Sequence, residues 1–133
     1  MRNYGLIITH NRPQLLAECI TALDPQTDLI VIVDHASNPP ALAPILTNPH
    51  LIISVPATER ANLSKFWNLG FDAVAAHAAL DDQKKWNLAV LCDDAIPQHG
   101  WLATVAAAMR ERDAVAACTR PVGAALLKTE PDA

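Results

Sequence analysis

The sequence predicts an α/β fold, a single Rossmann-like and mostly parallel sheet with helices on both faces. Four short segments are apolar throughout and rich in β-branched residues, which is typical of strands covered on both faces. Segments with helical periodicity lie between them, and this alternation favours a parallel sheet with right-handed crossovers. The predicted strands are residues 4–9, 28–33, 51–55 and 88–92.

The predicted helices have recognisable starting residues. Helix 13–23 begins at Pro13, which suits the first helical position because a proline has no N–H to leave unpaired there. Asn62 or Ser64 can cap a second helix over about 64–79, and a third is expected over about 100–112. The apolar stripes expected to face the sheet are Leu15, Leu16, Cys19, Ile20 and Leu23 in the first helix, and Trp67, Phe71, Val74 and Ala78 in the second.

The remaining segments complete the predicted arrangement. The proline-rich connection 38–49 is expected to hold one short helical turn at 41–46, and a last short strand is expected at 114–118. The strand order 3-2-1-4 follows if the sheet changes its direction of growth after the third strand. We expect one domain over 1–118, followed by a C-terminal tail, 119–133, that is an arm or pairs with a partner.

Composition restricts the class of function. The 133 residues carry a formal net charge of −4, and the ten lysines and arginines are scattered, which is untypical of a dedicated nucleic-acid binder. Cys19, Cys92 and Cys118 form no CxxC or Cys/His pattern, so we expect buried free thiols in a reducing compartment. No segment is long and apolar enough for a membrane span or a signal peptide, and we therefore expect a cytoplasmic protein.

Polar side chains follow three of the predicted strands at the point where each strand ends. In parallel α/β sheets ligands bind beyond the carboxyl ends of the strands, so these residues are the candidates for a site. They are Thr9, His10, Asn11 and Arg12 after the first strand, Asp34 and the residues 35–38 after the second, and Asp93 and Asp94 after the fourth.

Each candidate has a purely structural alternative. Asp93 and Asp94 repel one another, so they either bind a cation or form a polar turn that caps the next helix. Asp34 either accepts a hydrogen bond from a nucleobase or ribose, or forms a turn. Asn68 and Gly70 either approach a ligand or provide close packing of their helix.

Four stretches together resemble a known family. In order and spacing, IITHNRPQLLAECITAL, DLIVIVDHAS, NLSKFWNLGFDAV and VLCDDAIPQHGWL are similar to the nucleotide-binding half of inverting GT-A-fold glycosyltransferases of the family 2 type. The resemblance covers about residues 4 to 118. It implies a nucleotide-diphosphate sugar donor, a UDP-sugar first of all, and a Mg²⁺ or Mn²⁺ ion.

The resemblance also implies roles for particular residues. Thr9 and His10 would line the base pocket, Asp34 would accept from the base, and Asn68 and Gly70 would lie near the donor. Asn11 and Arg12 are donor-binding candidates by residue type, since they add an amide and a cation at the same strand end. Asp94 would be the metal ligand and Asp93 its helper at the ribose or the metal. Two positions depart from the family pattern, since Cys92 replaces the first acid of its Asp-x-Asp motif and Trp67 replaces a frequent arginine.

The function expected from this resemblance is that of a small, metal-dependent glycosyltransferase. Its relatives usually continue into an acceptor-binding half that supplies the catalytic base, which here would have to be Glu130, Asp132 or a residue of a second subunit. The alternative is a donor-binding module without catalysis, and a nucleotidyltransferase ranks last because residues 9–13 contain no glycine. An uncovered surface would also favour a homo-oligomer.

Overall fold

The structure is a computed structural model, and it describes residues 1–118. Four strands and three α-helices follow one another, with a short 3₁₀ turn, Asp24–Gln26, after the first helix. In chain order they are β1 (Arg2–Thr9), α1 (Pro13–Leu23), β2 (Leu29–His35), β3 (His50–Val55), α2 (Leu63–Leu80), β4 (Trp86–Cys92) and α3 (Trp101–Glu111).

The four strands form one parallel sheet in the order β3-β2-β1-β4. This confirms the predicted strands and their order. Because β1 lies between β2 and β4, the residues that follow these three strands meet at one edge. Thr9 pairs with Asp34 across β1 and β2, and Ile8 pairs with Cys92 across β1 and β4.

Helices α1 and α2 cover opposite faces of the sheet, as predicted. Gly5 and Leu6 are consecutive in β1, so their side-chain directions point to opposite faces. A Cβ at Gly5 would lie 2.7 Å from Cδ2 of Leu23 in α1, whereas Gly70 in α2 lies against the side chain of Leu6. The glycine in each pair lets the helix approach the sheet closely.

The predicted apolar stripe of α2 is correct at Val74 and Ala78, holds in part at Trp67, which packs against the core, and is wrong at Phe71. Val74 and Ala78 are buried, but the buried residues of the first turns are Phe66 and Gly70 and not Trp67 and Phe71. Gly70 explains the difference, because the absence of a side chain there lets Leu6 enter the helix surface. Phe71 is exposed, and Trp67 is partly buried.

The predicted helical turn at 41–46 is wrong, because carboxylates bind the backbone of this connection in place of helical hydrogen bonds. Asp34 accepts from the N–H of Ala41 at 2.9 Å. Asp24 accepts from the N–H groups of Thr47 and Asn48 at 2.8 and 3.1 Å. Two buried aspartates therefore fix the long connection between β2 and β3.

The strand predicted at 114–118 is also wrong, since these residues pair with no strand in the described part of the chain. Asp113 adopts a left-handed φ of 49°, and the N–H of Ala114 donates to Met109 at 2.9 Å, so the backbone turns at the end of α3. The expectation of buried thiols holds for Cys19 alone. Cys92 and Cys118 are free and exposed.

The chain divides into two units between Trp101 and Leu102. The first contains the sheet, α1 and α2, and the described part of the second contains most of α3. The tail predicted at 119–133 lies outside the described residues, so its boundary stays a prediction. No helix within residues 1–118 has the length and apolar character needed to cross a membrane.

Candidate functional site

The end of β4 separates the two neighbouring aspartates. The alternation of the strand continues into the turn, so that Leu91 and Asp93 are buried while Cys92 and Asp94 are exposed. The N–H of Ala95 donates to the carbonyl of Cys92 at 3.1 Å, which places Asp93 and Asp94 at the two central positions of a tight turn. Helix α3 begins only at Trp101, so this turn does not cap it.

Asp93 is held by residues that follow β1. The hydroxyl of Thr9 donates to Oδ2 of Asp93 at 3.0 Å, and Nη1 of Arg12 donates to Oδ1 at 3.2 Å. The side chain of Asp93 is 8% exposed and that of Arg12 is 52% exposed. A buried carboxylate is stable when hydrogen bonds and an opposite charge replace its lost water, and Asp93 has both.

Asp94 is much less constrained. Its side chain is 56% exposed, and its Oδ2 lies 3.8 Å from Nη1 of Arg12, which is an ion pair too long for a hydrogen bond. The two adjacent carboxylates therefore differ in availability. Asp93 is fixed by the protein, and Asp94 is open to a ligand.

Asn11 joins the loops that follow β1 and β2. Its N–H donates to the Ser37 hydroxyl at 2.8 Å, and its side-chain oxygen accepts from the N–H of Asn38 at 2.7 Å. Its φ of 52° lies in the left-handed region, which asparagine adopts more readily than most residues. Asn11 thus organises the edge of the site.

Three rings lie in a row beside these loops. The rings of His10 and His35 have centroids 5.5 Å apart, and those of His35 and Phe66 are 4.9 Å apart. Nδ1 of His10 makes a short contact with the carbonyl of His35, and Nε2 of His35 lies 3.0 Å from the carbonyl of Glu59. The backbone thus orients both imidazoles, with that of His35 between the rings it contacts.

The rings and the charged groups line one pocket of about 580 Å³. This volume lies within the range of small-molecule sites, roughly 300–1,000 Å³. Its lining comes from the ends of β1, β2 and β4 and from the start of α2. The residues are Ile8, Thr9, His10, Arg12, His35, Ala61, Asn62, Leu63, Phe66, Trp67, Cys92, Asp93 and Asp94.

Asp34 lies at the same edge of the sheet but has another environment. It is buried, and its two oxygens accept from the N–H groups of Ser37 and Ala41 at 3.2 and 2.9 Å. It is absent from the pocket lining. The geometry favours the turn-forming alternative, and contact between Asp34 and a ligand stays a prediction.

Asn68 and Gly70 lie on α2 outside the pocket lining. Asn68 is exposed, and Gly70 is buried against Leu6. The packing alternative therefore accounts for the glycine, while a donor contact of either residue stays a prediction.

Sequence reasoning placed His35 at the edge of the site without a role, and it did not select Phe66, Asn62 or Leu63 as site residues. His35 had a usable signal, because it directly follows Asp34 at the carboxyl end of β2. Phe66 had none, since its place depends on how α2 is rotated against the sheet. Asn62 was expected only as a helix cap, and it does cap α2 by accepting from the N–H of Lys65 at 3.1 Å.

The buried thiol of Cys19 lies behind the carboxylates. Its Sγ is 3.7 Å from the carbonyl of Cys92. Burial, and then the negative charges of Asp93 and Asp94, raise the pKa of Cys19 to about 12. This thiol is therefore neutral at physiological pH and has a packing role.

The carboxylates of the site fit a metal ion only when a bound ligand supplies the remaining coordinating atoms. Within residues 1–118 no group of three or more His, Cys, Asp or Glu side chains could hold a metal ion. Mg²⁺, however, is often bound by one or two carboxylates together with substrate phosphates. The open carboxylate of Asp94 fits that arrangement.

Comparison with known proteins assigns the family. No curated protein and no solved structure gave a significant match to this chain. The model of the family described as "Glycosyl transferase family 2" matches residues 6–127, most of the chain, and this match confirms the resemblance found in the sequence. The chain therefore belongs to glycosyl transferase family 2.

Proposed function

We propose that the protein binds a nucleotide-diphosphate sugar in the pocket at the carboxyl edge of its sheet and transfers the sugar to an acceptor hydroxyl. The observation that carries the proposal is the composition of this pocket. Aromatic rings line one part of it, and a cation with two carboxylates lines another. A nucleotide sugar has matching parts, because its base is flat and its diphosphate is charged.

The ring row is the proposed base site. His10 and His35 offer flat surfaces on which a base can stack, with the buried ring of Phe66 next to His35, and stacking tolerates different bases. The buried hydroxyl of Thr9 lies close by in the same lining. A uracil base fits this proposal, so a UDP-sugar is the first donor to test.

The charged part is the proposed diphosphate site. Arg12 can donate to phosphate oxygens, and Asp94 can hold a Mg²⁺ or Mn²⁺ ion that the phosphates also bind. Enzymes of this family often use divalent metals. Such an ion would stabilise the negative charge of the leaving diphosphate. Asp93 lies beside them as the proposed neighbour of ribose or metal.

The proposed reaction is a direct displacement at the anomeric carbon. The acceptor oxygen forms a bond to that carbon as the bond from the carbon to the phosphate oxygen breaks, and the nucleoside diphosphate leaves. The hydroxyl proton passes to a carboxylate base. Glu130 and Asp132, the candidates considered for this base, lie outside the described residues.

A donor-binding function without transfer is the second candidate, and one observation favours it. Among the described residues that line the pocket, Asp93 and Asp94 are the carboxylates, and Asp93 is already bound by Thr9 and Arg12. If Asp94 holds a metal, the described lining offers no further carboxylate as a base. The two candidate functions share the donor site, and only the transferase forms a product.

A thermal-shift panel tests the donor site. We expect UDP-sugars with Mn²⁺ to stabilise the protein, by about 2.7 kcal/mol at a hundredfold excess over Kd. His35→Ala should reduce this stabilisation, measured against its own ligand-free melting temperature. His50→Ala is the control, because His50 is exposed at the opposite end of the sheet.

The outcomes separate the two candidates. Stabilisation together with a released nucleoside diphosphate and a glycosylated acceptor supports transfer. Stabilisation without product, across glycan, lipid, protein and modified-DNA acceptors, supports the binding module. No stabilisation by UDP-, GDP- or dTDP-sugars, with or without Mn²⁺, would contradict both.

Self-association remains a proposal based on exposed apolar residues. Leu63 and Phe71 on α2 and Val90 on β4 are exposed in the described part of the chain. Apolar surface of this kind is often covered by a partner. Light scattering over a range of protein concentrations tests it, and a monomer at the highest concentration would contradict it.

A further inference from the structure

Arg12 occupies a place that is relevant to metal binding. Its Nη1 lies 3.2 Å from Oδ1 of Asp93 and 3.8 Å from Oδ2 of Asp94, so one guanidinium lies beside both carboxylates and offsets part of their negative charge. We call Asp93 and Asp94 the carboxylate pair. Without Arg12, two adjacent negative charges, one of them buried, would have no cation beside them in the pocket lining.

We propose that Arg12 is an internal counter-ion that competes with a divalent metal for the carboxylate pair and is transferred to the donor phosphates when the nucleotide binds. The proposal rests on the proposed donor site and adds a mechanism by which metal and donor bind together. Arg12 is a positioning and binding residue in this account.

The geometry of Arg12 is compatible with such a transfer. The side chain is about half exposed, and both of its contacts to the carboxylate pair use the same nitrogen, Nη1. Arg12 precedes α1 and makes no side-chain cap to that helix. A guanidinium has five N–H donors in a planar fork that matches phosphate oxygens, so a diphosphate in the pocket offers it a strong alternative partner.

Asp94 is the carboxylate that becomes available to the metal when Arg12 moves to the donor phosphates. Its ion pair with Arg12 is the longer of the two and is exposed to solvent, so little interaction is lost when it breaks. Asp93 keeps its hydrogen bond from Thr9, which holds the turn in place. The site can therefore change its cation without a rearrangement of the sheet.

Competition between Arg12 and the metal makes the binding of metal and donor cooperative. Two cations next to one carboxylate pair repel each other, so the metal binds weakly while Arg12 remains there. The donor removes this repulsion by binding the guanidinium through its phosphates. By linkage, the factor by which UDP raises the affinity for Mn²⁺ equals the factor by which Mn²⁺ raises the affinity for UDP.

The test measures Mn²⁺ binding to the full chain by calorimetry and by the paramagnetic resonance signal of free Mn²⁺, without nucleotide and with UDP. Arg12→Gln removes the counter-ion, and Arg12→Lys keeps its charge. Arg2→Gln is the matched control, because Arg2 is 46% exposed and pairs with two aspartates, Asp28 and Asp81. It lies at the start of β1, about 23 Å along the strand from Thr9.

Without nucleotide, we expect Arg12→Gln to bind Mn²⁺ at least about tenfold more tightly than the wild type, within the usual range of coupling between sites. Arg12→Lys and Arg2→Gln should stay within about twofold of the wild type. With UDP, the gain in Mn²⁺ affinity should be large in the wild type and much smaller in Arg12→Gln. UDP alone should bind Arg12→Gln more weakly than the wild type.

An unchanged or lower Mn²⁺ affinity in Arg12→Gln without nucleotide overturns the proposal. An equal gain in Mn²⁺ affinity in Arg2→Gln also overturns the proposal, because it would show that the change in net charge alone raises the affinity. Failure of the donor site itself has a different signature, since the wild type would then bind no UDP in the presence of Mn²⁺. The Mn²⁺ titration without nucleotide still decides whether Arg12 competes with the metal.

Discussion

The hydroxyl of Thr9 donates to Oδ2 of Asp93 at 3.0 Å and joins the carboxyl ends of β1 and β4. Both residues are buried, although they are 84 positions apart in the chain. The bond fixes the turn in which Asp94 points outward, and so it ties the geometry of the site to the sheet.

Removal of this hydroxyl should destabilise the fold. Thr9→Val leaves a buried carboxylate oxygen without its donor, and such a loss costs about 1–3 kcal/mol. We expect the free energy of unfolding in urea to fall by that amount. Thr21→Val is the control, since the hydroxyl of Thr21 donates to the carbonyl of Ala17 on the exposed side of α1. Equal effects of the two substitutions would contradict a structural role for the Thr9 bond.

The two aspartates should respond differently to substitution. Asp94→Ala should abolish Mn²⁺-dependent binding of a UDP-sugar, because Asp94 is the open carboxylate of the pair. Asp93→Ala should weaken binding and also lower stability, because Thr9 and Arg12 lose their common acceptor. Glu111→Ala should change neither. Calorimetry measures the binding, and donor affinity unchanged in Asp94→Ala would show that the pair is only a polar turn.

Tyr4→Phe should preserve or raise stability. Among the described residues, the hydroxyl of Tyr4 is buried without a hydrogen-bond partner, while its ring packs edge-on against His77 and Trp86. Phenylalanine keeps the ring contacts and removes the unpaired oxygen. Since an unpaired buried hydroxyl costs about 1–3 kcal/mol, we expect a gain of up to about that size in thermal or urea unfolding. A clear loss would indicate a partner for the hydroxyl.

Gly70→Ala should lower stability without a direct effect on the donor. A new Cβ at Gly70 would collide with the side chain of Leu6, whose Cδ2 would lie 2.9 Å away, and overpacking of a core typically costs about 1–3 kcal/mol. The second substitution Leu6→Val should recover part of the loss by making room. Normal stability with a specific loss of UDP binding would instead place Gly70 at the donor.

The protein should lose stability between about pH 9 and pH 12 through Cys19. Its pKa is raised from 9.0 to about 12 in the folded state, first by burial and then by Asp93 and Asp94. In this range the unfolded chain releases the thiol proton while the folded chain retains it, so stability falls with rising pH. Urea unfolding of Cys19→Ala should show a shallower decline. An equally steep decline would assign it to other groups, including Tyr4, whose pKa burial also raises.

Local sequence patterns were sufficient to predict the main elements of the fold. The apolar runs predict all four strands, although only β1 and β2 are buried along most of their length and the edge strands β3 and β4 are partly exposed. Pro13 and Asn62 mark the starts of α1 and α2. The polar residues at the strand ends also identified the edge at which the pocket lies, because parallel strands bring their carboxyl ends together.

Only the tertiary structure decided which of these polar residues reach the pocket. Asp34 lies near the end of β2 and Asp93 directly follows β4, yet Asp34 binds its own loop while Asp93 contacts Thr9 and Arg12. This difference depends on contacts between residues far apart in the chain. The local periodicity of the sequence does not predict such contacts. The rotation of α2 that brings Phe66 to the ring of His35 depends in the same way on the fit of Leu6 against Gly70. The sequence therefore determined the elements and the edge of the site, and side-chain packing across the sheet determined the site itself.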